Sequence, residues 1–172
     1  VDMGRACEVL YTAVNGEGET RMQIEPYLLH HANRAWYVLG KTDVHQEVRM
    51  LKLARIKELT LLTRPFKRPS SYKISDKLGQ AWRLLPEGKV YKIELTFTAR
   101  VATNVSEVRW HDSQSHELLD DGRCVMRFEI DGLKEIAWWI CGYADQVEVN
   151  KPKKLREMVA KKHQSAAALY DE

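Results

Sequence analysis

Along the first sixty residues, apolar side chains fall at every second position in short runs. Val9, Tyr11 and Ala13 alternate with polar or smaller neighbours, Met22 and Ile24 repeat the pattern, and Ala35-Trp36-Tyr37-Val38-Leu39 is a denser run closed by Gly40. A period of two predicts strands. Asn15-Gly16-Glu17-Gly18 tolerates positive φ and predicts a hairpin connection between the first two. Pro26 has no ladder donor, so the second strand is expected to end there or to present it at an edge. Polar residues from Lys41 to Glu47 form the next turn. Val48, Met50, Leu51 and Leu53, then Ile56, Leu59 and Leu61-Leu62, predict two further short strands with an offset or bulge between them. Five short strands with little helix would leave open edges, and closure into a curled five-stranded β-barrel over residues 7–63 removes them.

The pattern then changes twice. Pro65, Pro69, Ser70, Ser71 and Pro86-Glu87-Gly88 punctuate a linker or clasp over residues 64–88, with one short helix from Ile74 to Leu84. Beyond it Tyr91, Ile93, Leu95 and Phe97 alternate as a strand, and Val101, Val105 and Val108 recur at helical spacing. Leu118 marks a short strand before the Asp120-Asp121-Gly122 turn, and Cys124, Met126, Phe128 and Ile130 alternate after it. Leu133, Ile136, Ala137, Ile140, Cys141 and Ala144 form a helical stripe, Gln146 to Val149 a last strand, and Pro152 opens a terminal helix from Lys153. The order βαββαβ over residues 89–172 predicts a ferredoxin-like domain, so the fold class is α+β.

Composition sets the outer limits. With 44 % apolar and 30 % charged residues in a chain of 172, the balance is globular. Nothing approaches eighteen consecutive apolar residues and no basic stretch precedes an apolar segment at the start, so the expectation is a cytoplasmic protein with no membrane partner. Cys7, Cys124 and Cys141 are odd in number and far apart, which fits buried small hydrophobes rather than a disulfide framework or zinc knuckle. The net charge of +3 is unevenly spread: from Arg49 to Lys73 stand eight basic residues against Glu58 alone. An anion-binding surface is expected to involve this segment.

The residues richest in chemistry lie between Glu25 and Gly40, where Tyr27, His30, His31, Arg34, Trp36 and Tyr37 crowd together. On a strand Trp36 and Tyr37 point to opposite faces, so one is free for a surface task. An exposed aromatic beside arginines makes a stacking platform for a base, and Arg34, Arg49, Lys52 and Arg55 supply cations suited to phosphate. The other reading closes the barrel ends with the aromatics and pairs the arginines with Glu25, Glu47 and Glu58 as rim salt bridges; residue chemistry leaves both standing. The rival to an effector-binding module is a structural or protein–protein interaction module that binds no small ligand, and convergence of Arg34, Arg49 and Arg55 on one exposed concave face separates the two. His111, His116, Asp112 and Asp120 have no recognised metal spacing, and neither a phosphate loop nor a nucleophile elbow is present. No cofactor and no enzyme activity are expected. Trp138-Trp139 falls on the second helix of the C-terminal domain, one tryptophan for the core and one for an interdomain or dimer contact.

Taken together, Tyr11, Pro26-Tyr27-Leu28, Trp36-Tyr37-Val38 and Arg49-Met50-Leu51-Lys52-Leu53-Ala54-Arg55-Ile56 resemble the WYL-domain family of bacterial transcription regulators. Gly132-Leu133, Trp138-Trp139-Ile140, Gly142, Gln146-Val147-Glu148-Val149 and Pro152-Lys153-Lys154-Leu155-Arg156 resemble its C-terminal extension, WCX. Val38 stands in the leucine position of the naming tripeptide, and Ala54 where an aspartate is common. The resemblance implies an Sm-like or SH3-like WYL barrel acting as a sensor, single-stranded DNA or a nucleotide-like molecule as effector, and a homodimer. It implies an effector-contact set of Tyr27, His31, Arg34, Trp36, Tyr37, Arg49 and Arg55. The six residues before Cys7 cannot hold the family's helix-turn-helix, so double-stranded operator DNA is expected to be reached only through a part this chain lacks.

Overall fold

The computed structural model describes residues 4–13 and 18–170, in two compact units, Val1–Lys77 and Leu78–Glu172. Of the hairpin connection expected at residues 15–18, all but Gly18 lies outside the described residues.

The first unit is one antiparallel sheet of β1 (Arg5–Thr12), β2 (Glu19–Ala32), β3 (Ala35–Thr42), β4 (Val48–Lys52) and β5 (Ile56–Pro65), in the order β4-β3-β2-β1-β5. A single 3-10 turn, Leu53–Arg55, separates β4 from β5 where the sequence suggested an offset or bulge. The cross-strand pairs Val9↔Met22, Cys7↔Ile24 and Val38↔Leu51 bring the apolar alternation of four strands onto one face, which forms the core with Tyr11, Leu53 and Ile56 packed against it.

The expected fold class is corrected here. The architecture is α+β with two antiparallel sheets, and the first is not a five-stranded barrel: its order has two ends, β4 and β5, with no pairing between them among the described residues. Closure was inferred from the hazard of bare edges, and this sheet protects its edges differently. β4 is only five residues long and carries Arg49 and Lys52, while β5 carries Lys57, Glu58 and Arg64 and stops at Pro65. Charge, short length and proline each discourage edge-to-edge pairing.

Strand β2 also runs past the proline expected to end it. Its pairing with β1 stops at Cys7↔Ile24, its pairing with β3 continues to Ala32↔Ala35, and the register shifts between Pro26 and Leu28. A residue without an N–H donor is tolerated at such a bulge, past the end of one ladder. Gly40 lies opposite, where a Cβ would collide with the carbonyl of Glu25.

In the second unit β6 (Val90–Phe97), β7 (Ser115–Leu118), β8 (Cys124–Asp131) and β9 (Val147–Lys151) form an antiparallel sheet in the order β7-β8-β6-β9. Helices α2 (Ala99–Ser106), α3 (Lys134–Cys141) and α4 (Lys153–Ala167) bury Val105, Ile136, Ile140 and Leu155 against Leu95, Phe97, Met126 and Phe128. The helix expected from Ile74 to Leu84 is a single turn, α1 (Ser75–Leu78). The segment after it is clasped by three carboxylates that accept backbone N–H groups. Glu135 takes those of Arg83, Leu84 and Leu85 at 2.9–3.0 Å, Asp131 takes those of Glu87 and Lys89 at 3.0 and 2.9 Å, and Glu87 takes those of Leu133 and Lys134 at 3.1 and 2.8 Å. The last pair satisfies donors that the start of α3 leaves unbonded.

Candidate functional site

The β2–β3 connection has only two residues, Asn33 and Arg34, with φ of 49° and 58°. Two consecutive positive φ values match the turn that follows the natural twist of a hairpin, and asparagine adopts that conformation readily. Arg34 does so at some backbone cost. Its side chain therefore stands at the hairpin tip. Just behind it His31 pairs with Trp36 across the strands, their ring centroids 5.1 Å apart. Trp36 remains 53 % exposed despite this contact.

Strand β4 ends at Lys52, opposite Tyr37, and the 3-10 turn that follows packs against β3. Arg55, the last residue of that turn, immediately precedes Ile56, which pairs with Tyr11 on β1. Neither Arg34 nor Arg55 has a carboxylate partner among the described residues.

The remaining residues expected at the site lie elsewhere. Tyr37 and Lys52 are mutual partners on the face opposite Trp36, with His30 alongside. Burial, and secondarily the neighbouring His31, lower the His30 pKa. Tyr27 is buried, its ring 5.3 Å from that of Tyr72 and 6.1 Å from that of Phe66. Burial raises its hydroxyl pKa, with Glu25 adding to the effect. Arg49 pairs with Gly40, four residues along β3 from Trp36 or about 13 Å. It contributes to a separate cleft of about 330 Å³ with Tyr11, Met22, Val44, His45 and Leu51, and its guanidinium meets Glu47 at 2.6 Å. Periodicity gave no hint of that cleft, because Val44 and His45 come from the turn before β4.

Arg34, Arg49 and Arg55 therefore do not form one cluster. The rim salt bridges weighed against a binding site are formed by other residues at two of their three carboxylates: Glu25 bonds Arg64, Glu58 bonds Arg21, and only Glu47 bonds one of the three arginines, Arg49.

On the second unit the two adjacent tryptophans separate by a hundred degrees of helix. Trp139 sits among Trp82, Trp110, Phe97 and Tyr143 at centroid distances of 4.9–5.7 Å, and Trp138 is 69 % exposed. His111 stacks on Trp82, and its Nδ1 lies 2.8 Å from the Ser113 hydroxyl. Among the described residues, no group of three or more His, Cys, Asp or Glu side chains is placed to hold a metal ion. No described helix is long and apolar enough to cross a membrane.

Two family models match this chain, the WYL domain over residues 1–61 and the WCX domain over residues 89–167. The chain belongs to the WYL family, its WYL domain followed by a WCX domain. WYL and WCX domains are regulatory modules without catalytic chemistry of their own, and this chain is of that kind. Among solved structures, this WYL–WCX chain is similar to a CRISPR Cas-related protein with a TM-score of 0.55 and 8 % identity, over 96 % of this chain and 48 % of that one. It is also similar to proteasome accessory factor B/C (PafBC) of Arthrobacter aurescens with a TM-score of 0.41 and 18 % identity, over 100 % of this chain and 26 % of that one. The chain thus spans about a quarter to a half of these structures. No curated protein matches the sequence.

Proposed function

We propose that this WYL–WCX chain is the effector-sensing part of a transcription regulator and that single-stranded DNA, or a nucleotide-like ligand, binds at the β2–β3 hairpin end of the first sheet. In this reading a base stacks on Trp36, with His31 behind it, and Arg34 and Arg55 take the flanking phosphates. One observation carries it: a half-exposed indole stands on the hairpin whose two-residue turn carries Arg34, and neither Arg34 nor Arg55 is paired with a carboxylate among the described residues. Stacking of a base on an exposed aromatic is worth about 1–3 kcal/mol, and guanidinium suits phosphate geometry. Tyr27, Tyr37, Lys52 and Arg49 fall outside the contact set, by burial, by facing the other way or by distance.

The test is titration of a labelled single-stranded oligonucleotide followed by fluorescence anisotropy at low and moderate salt. Trp36→Ala is expected to weaken binding about fivefold to a hundredfold. Arg34→Ala and Arg55→Ala should each weaken it and lower the salt dependence by roughly one counterion. Arg49→Ala should leave it unchanged. Equal affinity of Trp36→Ala and the parent protein, or no saturable binding at either salt, removes the nucleic-acid reading.

A further inference from the structure

In the second unit α3 and α4 pack side by side, and an apolar groove of about 570 Å³ lies along them. Trp138 and Cys141 line it from α3, and Met158, Lys161, Lys162 and Ala166 from α4. The α4 positions fall at i, i+3, i+4 and i+8, one stripe of the helix about 12 Å long. Indole, thiol, thioether and methyl groups make up the floor, and no carboxylate is among the side chains that line it. From Lys153 to Lys162, α4 carries five Lys or Arg residues against Glu157 alone. Lys153 is bonded to Glu157 and Arg156 to Glu148, whereas neither Lys161 nor Lys162 has a carboxylate partner among the described residues.

Two features narrow what fits there. The Lys162 ammonium sits 3.7 Å from the centre of the Trp138 ring, so that face of the indole already holds a cation and is closed to a stacked base. Cys141, Met158 and Ala166 offer no strong donor or acceptor to a base edge or a phosphate. Apolar side chains are what such a floor takes out of water, and carboxylates are what unpaired lysines attract.

We infer that the α3–α4 groove docks an acidic amphipathic helix of a partner protein, laid along α4 so that three helices pack together. Such a helix presents large apolar side chains at i, i+3 or i+4, and i+7, which cover Trp138 and Met158. Asp or Glu beside that stripe meets Lys161 and Lys162. The stripe of the partner from i to i+7 is about 10 Å long, close to the length of the α4 stripe beneath it. Recognition of a helix in a groove draws on this combination of apolar floor, aromatic anchor and charged rim, and an exposed tryptophan is the kind of side chain that dominates it.

A fluorescein-labelled synthetic peptide of about 16 residues, with leucines at i, i+4, i+7 and i+11 and glutamates beside them, tests this by anisotropy against the full chain. A second peptide carries lysine in place of every glutamate. Saturable binding of the glutamate peptide is expected, about tenfold or more tighter than that of the lysine peptide. Trp138→Ala should weaken it about tenfold or more, with unchanged circular dichroism because this side chain is exposed. Lys161→Glu/Lys162→Glu should weaken the glutamate peptide and strengthen the lysine peptide, which no general loss of folding would mimic. Equal affinity for the two peptides, no saturable binding, or binding indifferent to Trp138→Ala overturns the inference. Displacement of the peptide by a single-stranded oligonucleotide, persisting in Trp36→Ala, overturns it in favour of nucleic acid. Self-association in sedimentation equilibrium that Trp138→Ala abolishes overturns it in favour of a second copy.

Discussion

The proposed site of the first unit rests on side chains whose setting is fixed by local backbone. Asn33 and Arg34 accept positive φ, so the hairpin turns in two residues and leaves the Arg34 guanidinium at its tip. Trp36 pairs with His31 rather than with a core residue, so its ring stays half exposed. Arg55 closes the 3-10 turn between β4 and β5. In the second unit His111 has the opposite character. It is half-buried against Trp82, and burial holds its pKa below the ordinary imidazole value of about 6.5, with Arg83 acting in the same direction and Asp112 opposing. The unfolded chain therefore binds a proton at higher pH than the folded one does. Stability from neutral His111 is fully present above about pH 6.5 and is lost as the pH falls toward its lowered folded value. Urea denaturation at pH 8 and pH 5 should show this loss in the parent protein and a smaller one in His111→Gln; equal losses would mean that His111 does not couple folding to pH.

At the scale of elements, the sequence was most informative where burial is one-sided and regular. Tyr91 to Phe97 and Cys124 to Ile130 alternate cleanly because helices cover one face of their sheet, and the Leu133–Cys141 stripe shows α3 for the same reason. Strand β2 was legible only to Pro26. Its second half carries His30, His31 and Ala32, which neither alternate nor look apolar, and the turn beyond it lacks the glycine that usually marks a tight hairpin. The barrel was misjudged because exposed edges can be protected by charge as well as by closure, and a strand pattern does not distinguish the two. The clasp around residues 83–89 was visible only as punctuation, because the carboxylates that hold it lie some fifty residues away. Glu87→Ala should cost about 1–2 kcal/mol in urea denaturation, as loss of a helix N-terminal acceptor does. Gly132→Ala should cost more. Its φ of 94° is strained for any side chain, and a Cβ would press within 2.8 Å of Glu87. An alanine variant as stable as the parent would show that the clasp contributes little.

At the scale of the whole molecule, the sequence reading gathered into one candidate surface residues that the strand register separates. The basic run from Arg49 to Lys73 and the aromatic cluster before Gly40 suggested one converging surface. The register divides it into a hairpin end with His31, Arg34 and Trp36, a buried Tyr27, an opposite face with Tyr37 and Lys52, a distinct cleft at Arg49, and Arg55 in the turn before β5. Strand parity foretold the separation of Trp36 from Tyr37, whereas the distance from Arg49 to Trp36 depends on strand pairing that composition does not reveal. The proposed stacking site is thereby reduced to the hairpin end of the WYL domain. The most direct test of a base stacked on Trp36 is the difference in tryptophan fluorescence between the parent protein and Trp36→Phe as single-stranded oligonucleotide is added. Phenylalanine keeps a stacking face but removes the indole signal. Saturable quenching in the parent protein, absent from Trp36→Phe while anisotropy still reports binding, is the predicted result; quenching of equal amplitude in both proteins would contradict it.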